Sequence, residues 1–458
     1  MQPEPRDSPQ TIRTEPLVLS LLAKIDALLD QIKILNARIA ELEARSSPPP
    51  KTPTNSSLPP SSACKANVSG TPPAKKCRKG RPGVARLLCE APDATREVYA
   101  ERCACGAVLS RTDQMLAHAY DHIDLPVIKP ITTRINLHRG NCPCCNRRVT
   151  AKPPADMPPG SPFGPGIVSA VTYLHACQMV SYNRLTETLG GMFNLKLSEG
   201  AIANMLARAQ TPFATRAAEI AETVRNSPVI ASDETSARVN GKTHWQWTFI
   251  APTAVSHTIA ETRGKVVPTD FLDGARPKVW LSDRLPAQCR HADAQQYCLA
   301  HLIRDAQFAI DAGDTIFAPA FKRFLQKACV IGRRRPDLAD ATIKSYARDL
   351  GRQLDRLLEL EPTQKDGSHL RASMQVDGHD KLLVFMTRRD VEPTNNGAER
   401  ELRPSVIFRK VTNGFRSRWG AKVYADIRSI VATGRINGRS ALTAIREALA
   451  AAPQSAPA

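Results

Sequence analysis

The sequence predicts an α/β protein, and three observations predict it. Between Ser227 and Gly264 the stretches SPVIASDETSARVNG, KTHWQWTFIAPT and VSHTIAETRG alternate, rich in β-branched and aromatic residues, with breaks at Asn240-Gly241 and Pro252. That is the pattern of three successive antiparallel strands. PKVWLSD, closing on Asp283, reads as a buried strand. The chain on either side, 161–225 and 310–385, is helical in character.

Composition narrows the partners. A chain of 458 residues can hold two to four domains with a sizeable core. Its formal net charge of +19 points to nucleic acid or an anionic membrane surface. No apolar run approaches the roughly 18 residues needed to cross a bilayer. The opening MQPEPRDSPQ lacks the basic region and apolar stretch of a secretory signal, so a cytoplasmic protein without membrane attachment is expected. There the twelve cysteines stay reduced, and close pairs among them are metal-ligand candidates before they are disulfides.

Residues 1–16 are polar and proline-bearing and read as disordered. From 17 to 45 a heptad runs, with Leu21, Leu28, Leu35 and Leu42 at d positions and Ile25, Ile32 and Ile39 at a positions. Isoleucine at a with leucine at d favours a parallel two-stranded coiled coil, so a homodimer or higher oligomer is expected. The rival reading is an amphipathic helix packed on its own domain. A Pro/Ser-rich linker, 46–84, follows and closes on KKCRKGRPG. Lys75, Lys76, Arg78 and Lys79 there form a phosphate-attracting tether, or else a solvated charge run. The cluster follows the heptads across a proline-rich break, which sets aside a leucine-zipper transcription factor, whose basic helix precedes its zipper.

Residues 85–155 carry Cys103-Ala-Cys105 and Cys142-Pro-Cys144-Cys145. Two close cysteine pairs from two turns are the usual means of making a tetrahedral structural zinc site, with Cys103, Cys105, Cys142 and Cys145 as ligands. LPVIKPITTRINLHRG between them reads as two short strands. In the helical connecting region, 156–225, SYNRLTETLGGMF and EGAIANMLARAQ form two helices, with Ser198 as an N-cap. A helix-turn-helix and an ordinary helical hairpin both fit. A catalytic domain is expected over 226–415, with a helix from about His291 to Ala309 and a helical insertion over about 310–385. A basic helical segment (416–450) and a disordered tail (451–458) complete the layout.

TNNGAERELRP, from Thr394 to Pro404, opens another helix near Asn396, with Glu399 in its first turn and Arg400 and Arg403 one turn apart. Asp233 and Asp283 are expected at strand ends. Acids at strand ends and a helix start can face one cleft. Their charges repel, which makes them poor catalysts alone and good ligands for two Mg²⁺ or Mn²⁺ ions in phosphodiester chemistry. Arg400, Arg403, Arg409 and Lys410 would hold the DNA backbone beside them. Each acid also has a plain reading. Glu234 neighbours Asp233 on a strand whose side chains alternate, so only one enters the cleft. Asp283 could cap a turn, and Glu399 could be an acid favoured by the helix dipole.

At these residues the sequence resembles the IS66 type of DDE transposase. The matching stretches are SDETSARV with WQW, VWLSDR with YCLAHLIRDA, NNGAERELRPSVIFRK, and GAKVYADIRSIVATGRINGRSALTAI. The resemblance implies an RNase H-like catalytic fold with an all-helical insertion between the second aspartate and the glutamate. It implies Asp233, Asp283 and Glu399 as the triad. Cys298 and His301 match a C-x2-H element found after the second aspartate in such enzymes, with Arg304 one turn on as further active-site support. The first cysteine pair is C-x-C where the family usually has C-x2-C, and Thr394 stands where it commonly has aspartate.

The expectation is a bacterial, nucleoid-associated DNA transposase. It would bind the terminal inverted repeats of an insertion element, cut strands with metal assistance and join them to target double-stranded DNA, with small accessory proteins of the same element as further partners. The alternatives are an RNase H-like nuclease that does not join, and an inactive DNA-binding regulator.

Overall fold

The computed structural model of the protein describes residues 15–46, 48–56, 58 and 86–451. The basic tether with Lys75, Lys76, Arg78 and Lys79, both chain tails and the side chains of Ile39 and Leu42 lie outside what is described. Helix α1 (Glu15–Ser46) runs 32 residues without interruption. Its seam residues Leu21, Ile25, Leu28, Ile32 and Leu35 are exposed. Part of the linker is docked rather than loose. Asn55 is buried, accepts from the Thr52 N–H and donates to Pro50 O and to Asp311 Oδ2 at 2.8 Å.

The cysteine-bearing stretch holds one small antiparallel hairpin, β1 (Arg139–Asn141) with β2 (Arg148–Thr150). The two strands expected in LPVIKPITTRINLHRG do not form; only its last two residues join β1. Pro126 and Pro130 remove ladder donors there. The hairpin instead brackets the second cysteine group.

The described residues divide into two compact units. One draws on 1–63, 221–236 and 243–403, the other on 64–220, 237–242 and 404–458. The second unit is helical: α2 (Pro165–Thr172), a π-helical turn (Tyr173–Cys177), α3 (Tyr182–Phe193) and α4 (Glu199–Arg208), then α5 (Gln210–Arg225), whose last turn belongs to the first unit. Val171, Leu185, Leu189, Ile202, Met205 and Leu206 form one core of this unit. Ser198 caps α4 as the sequence predicts, its Oγ accepting from the Ala201 N–H.

The first unit is built on a mixed sheet. Its first three strands, β3 (Val229–Val239), β4 (Lys242–Ile250) and β5 (Val255–Ala260), fall where the alternation predicts. The first hairpin turns through Asn240 and Gly241, both with positive φ (48° and 74°), the combination a tight type I′ turn demands. After α6 (Val266–Leu272) come β6 (Val279–Ser282) and β7 (Ala294–Tyr297), giving the order β5-β4-β3-β6-β7. The pairs β3–β6 and β6–β7 are parallel, and β4–β5 is antiparallel.

The helix expected from His291 is in fact β7 followed by α7 (Leu299–Asp311). AQQY lacks the β-branched residues that mark the other strands. In the fold both glutamines are buried and satisfied. Gln296 donates to Leu382 O and accepts from the Phe385 N–H, and Gln295 donates to Ser282 Oγ.

The remaining helices of this part of the chain are α8 (Phe317–Arg334), α9 (Asp340–Leu358), α10 (Lys365–Lys381) and α11 (Val384–Thr387). They bury Phe317, Phe321, Leu325, Leu350, Leu354, Met374 and Phe385 in one core with Val229, Val279 and Tyr297 of the sheet. Then α12 (Asn396–Thr412), α13 (Arg418–Ile436) and α14 (Ala441–Ala450) close the chain, and α12 passes from the first unit to the second after Arg403. No helix among the described residues is long and apolar enough to cross a membrane.

Candidate active site

Strand register sets the two aspartates. Ala231 of β3 pairs with Leu281 of β6, so two residues further on Asp233 and Asp283 stand level and on the same face. Asp233 does not end its strand, as the sequence suggested, but is the fifth of eleven residues in β3. The site forms there because β6 stops at Ser282 while β3 runs on. On the other side Ser282 pairs with Tyr297, which brings Cys298 level with Asp283.

Cys298 and Asn395 stitch this edge to α12. The Cys298 N–H donates to Ser282 O at 2.8 Å and the Leu299 N–H to Pro393 O at 3.0 Å. The Asn395 N–H points at Cys298 Sγ (3.1 Å), and its side-chain Nδ2 donates to Ser232 O on β3 (2.7 Å). The residue before α12 is thereby tied to the middle of β3 and to the end of β7, which aims the first turn, and Glu399, at the aspartates. Asn395 is buried. It belongs to the quoted asparagine pair, but its role needs tertiary partners that a sequence does not display.

Glu399 faces α7. Its Oε1 lies 3.0 Å from Arg304 Nη2 and 3.6 Å from His301 Nε2. Cys298, His301 and Arg304 are spaced by three, so they share one face of α7. Burial and the Arg304 charge push the His301 pKa down, against the opposing pull of Glu399, Asp283 and Asp305. The imidazole is therefore neutral at neutral pH. Burial likewise pushes the Cys298 thiol up to about 11.

The electrostatics gather the acids in one field. Burial, then the charges of Glu234 and Asp283, with Glu399 contributing less, hold the Asp233 carboxyl well above the ordinary carboxylate range. Asp283 Oδ1 accepts from the Leu285 N–H at 3.0 Å, so its turn-capping role is real. Glu234 alternates to the other face. It is buried, with Arg263 on Oε1 (2.8 and 2.6 Å) and Gln288 on Oε2 (2.7 Å). Arg263 stacks over Trp245 at 4.8 Å, and Gln288 is itself held by Trp280 Nε1. This network escaped the sequence reading, which took Glu234 only as a bystander. Burial and the Asp283 charge raise the Glu234 pKa, against Arg263.

Among the described residues no three or more His, Cys, Asp or Glu side chains stand at metal-ligand spacing. At the carboxylates, Glu399 is engaged by Arg304. The cysteines form two separate knuckles. At the first, the Cys103 N–H donates to Ala107 O and the Gly106 N–H to Cys103 O; at the second, the Cys142 N–H donates to Arg147 O and the Asn146 N–H to Cys142 O. Gly106 and Asn146, each directly after the last cysteine of its group, both have positive φ. In each knuckle backbone N–H groups draw a thiol pKa down, that of Cys105 acting on Cys103 and those of Cys145 and Cys144 acting on Cys142.

Arg400 and Arg403 are exposed on α12, as is Lys410, while Arg409 is half-buried. Glu401 on the same helix is buried.

No curated protein sequence matches the chain. The family model described as "Transposase IS66 family" matches residues 160–423, more than half of the chain and all of the carboxylate site. The chain belongs to the IS66 family of transposases.

Proposed function

We propose that this transposase cuts and joins DNA strands at the ends of its element by metal-assisted phosphodiester chemistry on an RNase H-like scaffold, with Asp233, Asp283 and Glu399 as the metal ligands. The observation that carries the reading is the register that sets Asp233 and Asp283 level at the end of the parallel β3–β6 pair, with the head of α12 tied to the same edge by Asn395. Supporting the scaffold, the strand order counts 3-2-1-4-5 along the catalytic chain, with helices α8–α11 between the second aspartate and the glutamate.

The residues fit a pair of hard cations. They are oxygen donors, and burial first, then the charges of Glu234 and Asp283 with a smaller share from Glu399, holds the Asp233 carboxyl above its ordinary range. Asn395 Oδ1, His301 Nδ1 and Arg304 Nε beside Glu399 and the strand end are buried without a hydrogen-bond partner. Bound there, two Mg²⁺ ions would supply activation of a water or 3′-hydroxyl and stabilisation of the leaving oxygen. Arg304 holds Glu399 and releases it when the glutamate turns toward the aspartates. The guanidinium is then free for a phosphate oxygen, the acceptor its fork matches best. Exposed Arg400 and Arg403 grip the backbone alongside.

The two cysteine knuckles, which do not stand at metal-ligand spacing in this structure, would hold a structural Zn²⁺ if drawn together, with Cys103, Cys105, Cys142 and Cys145 as ligands. The exposed α1 seam pairs with a second copy, which holds two element ends together. Labelled duplexes carrying the terminal repeats, incubated with protein and Mg²⁺, test the reading. Nicking at the repeat end followed by covalent joining to target DNA is the expected outcome. Nicking without joining would assign a nuclease, and binding without nicking a regulator.

A further inference from the structure

The second unit contains a cavity of about 520 Å³ whose wall includes the rings of His175, Tyr182, Phe408, Phe415, Trp419 and Tyr424. Its rings are in mutual contact. Phe408 stacks on Phe415 at 5.2 Å and meets Tyr424 at 4.4 Å, and His175 lies 4.8 Å from Tyr182. The volume is within the range of small-ligand sites.

Two irregular backbone features build the wall. The π-helical turn Tyr173–Cys177 widens the helix, a deviation that recurs at functional sites. It sets His175 Nδ1 at 2.9 Å from Val180 O. A nitrogen facing a carbonyl carries the proton, so Nε2 of the neutral ring is an acceptor. On the other side Asn413 and Gly414 both have positive φ, and a Cβ at Gly414 would come within 2.5 Å of Arg238 O. That turn lets Phe415 bridge to β3, its N–H donating to Arg238 O and its carbonyl accepting from the Asn240 N–H.

The charge available at the pocket is local, since on the neighbouring helix Lys422 pairs with Asp426 at 3.2 Å. Arg416, exposed, is itself in the wall. Glu199 is the acid in the lining. A ring-bearing slot with an imidazole acceptor in its wall and the exposed Arg416 at its rim suits a flat heteroaromatic ring with an exocyclic amino group, attached to a phosphate.

We propose that this pocket takes up an unpaired nucleobase of the DNA, stacking it on the Phe415 and Tyr182 rings while Arg416 holds the adjoining phosphate. The proposal rests on the reading of the protein as acting on DNA. The pocket belongs to the helical unit and not to the carboxylate site, so it grips an unpaired or extruded nucleotide independently of cleavage chemistry.

The test uses the full-length protein and DNA duplexes carrying 5-iodouracil in a one-nucleotide bulge, with fully paired duplexes as the comparison. Near-ultraviolet irradiation crosslinks this base to a ring stacked on it, and mass spectrometry maps the adduct. Crosslinks at Phe415, Tyr182 or Trp419, from bulged and not from paired DNA, are expected. Ala203→Trp, which fills the pocket from α4, is expected to cut the yield about tenfold or more, with overall binding by fluorescence anisotropy changed far less. If Ala203→Trp does not fold, Phe415→Ala is read in the same way. Binding by anisotropy with adducts elsewhere, or with yield indifferent to the variants, would overturn the pocket and leave the DNA-acting reading standing. Absence of binding to either duplex would overturn both. An Ala203→Trp protein with unchanged crosslinks but an altered oligomer by light scattering would assign the pocket to a side chain of a second copy instead.

Discussion

The mixed sheet and the cysteine-bearing stretch hold their candidate ligands in opposite ways. In the sheet, Asp233 and Asp283 are set by strand register over a core, and Asn395 and Cys298 lock the approach of Glu399. Between 86 and 160, all described residues, none is buried, and only Gln114 and Cys142 are partly shielded. Val98, Leu116, Leu125, Val127, Ile131 and Val149 are exposed there. The knuckles have local turn geometry and no core behind it. On the packed scaffold the two aspartates are fixed by the strands, and Glu399 alone is turned aside, toward Arg304. A stretch with no buried side chains gains too little from burial to offset its chain entropy, which is why the proposed zinc matters more there than any cation does at the sheet.

The largest expected effect is at the sheet. Asp233→Asn, Asp283→Asn and Glu399→Gln should each lower strand cleavage by about 10²-fold or more, with DNA affinity kept or raised because a charge near phosphate is lost. Gel-based cleavage and binding assays on the same preparations measure both. Next comes the cysteine stretch. A strong zinc chelator should make 86–160 rapidly cut by protease while the sheet unit keeps its melting transition. Metal analysis that finds no zinc, with Cys103, Cys105, Cys142 and Cys145 all freely titratable, would remove zinc from the comparison.

The packed unit should also show the cost of breaking its polar anchors. Asp314 is buried and accepts from the N–H groups of Ile316 and Ala318 at the start of α8 and from that of Thr363 ahead of α10. Burial alone would raise its pKa, but those donors outweigh it and hold the carboxyl below its ordinary value. Asp314→Ala should cost about 2 kcal/mol or more at neutral pH. A group depressed in the folded state contributes stability above its unfolded pKa of about 3.9, and loses it as pH falls through the folded value. The gap between wild type and Asp314→Ala should therefore close in melts taken below about pH 4.

The smallest effect should be at Glu234. Glu234→Gln keeps the Gln288 contact and weakens the one to Arg263, so about 1–2 kcal/mol of stability is at stake while cleavage stays within a few-fold. Glu401, on the face of α12 away from Glu399, is buried like Glu234, so a change there is likewise read beside a melting curve. An inactive Glu234→Gln protein that still melts normally would put the reacting groups on the other face of β3.

Much of the sheet was legible because alternation and turn residues carry it. The β3–β4 hairpin announces itself in Asn240-Gly241, and the start of α12 in TNNGAERELRP. What stayed hidden depends on partners distant in the chain. β7 is disguised because Gln295 and Gln296 are polar, and only their bonds to Ser282, Leu382 and Phe385 make them tolerable in a buried strand. The mid-strand position of Asp233 follows from where β6 stops, which no feature of β3 encodes. Arg263, remote from Glu234 in sequence, could not be assigned to it, and Asn55 in a linker gives no hint that it docks on Asp311.

The most direct test of the carboxylate site locates the cation on the chain itself. With Fe²⁺ replacing Mg²⁺, ascorbate and peroxide generate hydroxyl radicals at the bound ion, and mass spectrometry reads where the backbone breaks. Breaks beside Asp233, Asp283 and Glu399 together, suppressed by excess Mg²⁺ and lost in Asp283→Asn, are the predicted result. Breaks that spare the head of α12, or that ignore Mg²⁺, would contradict the assignment of these three residues as one metal site.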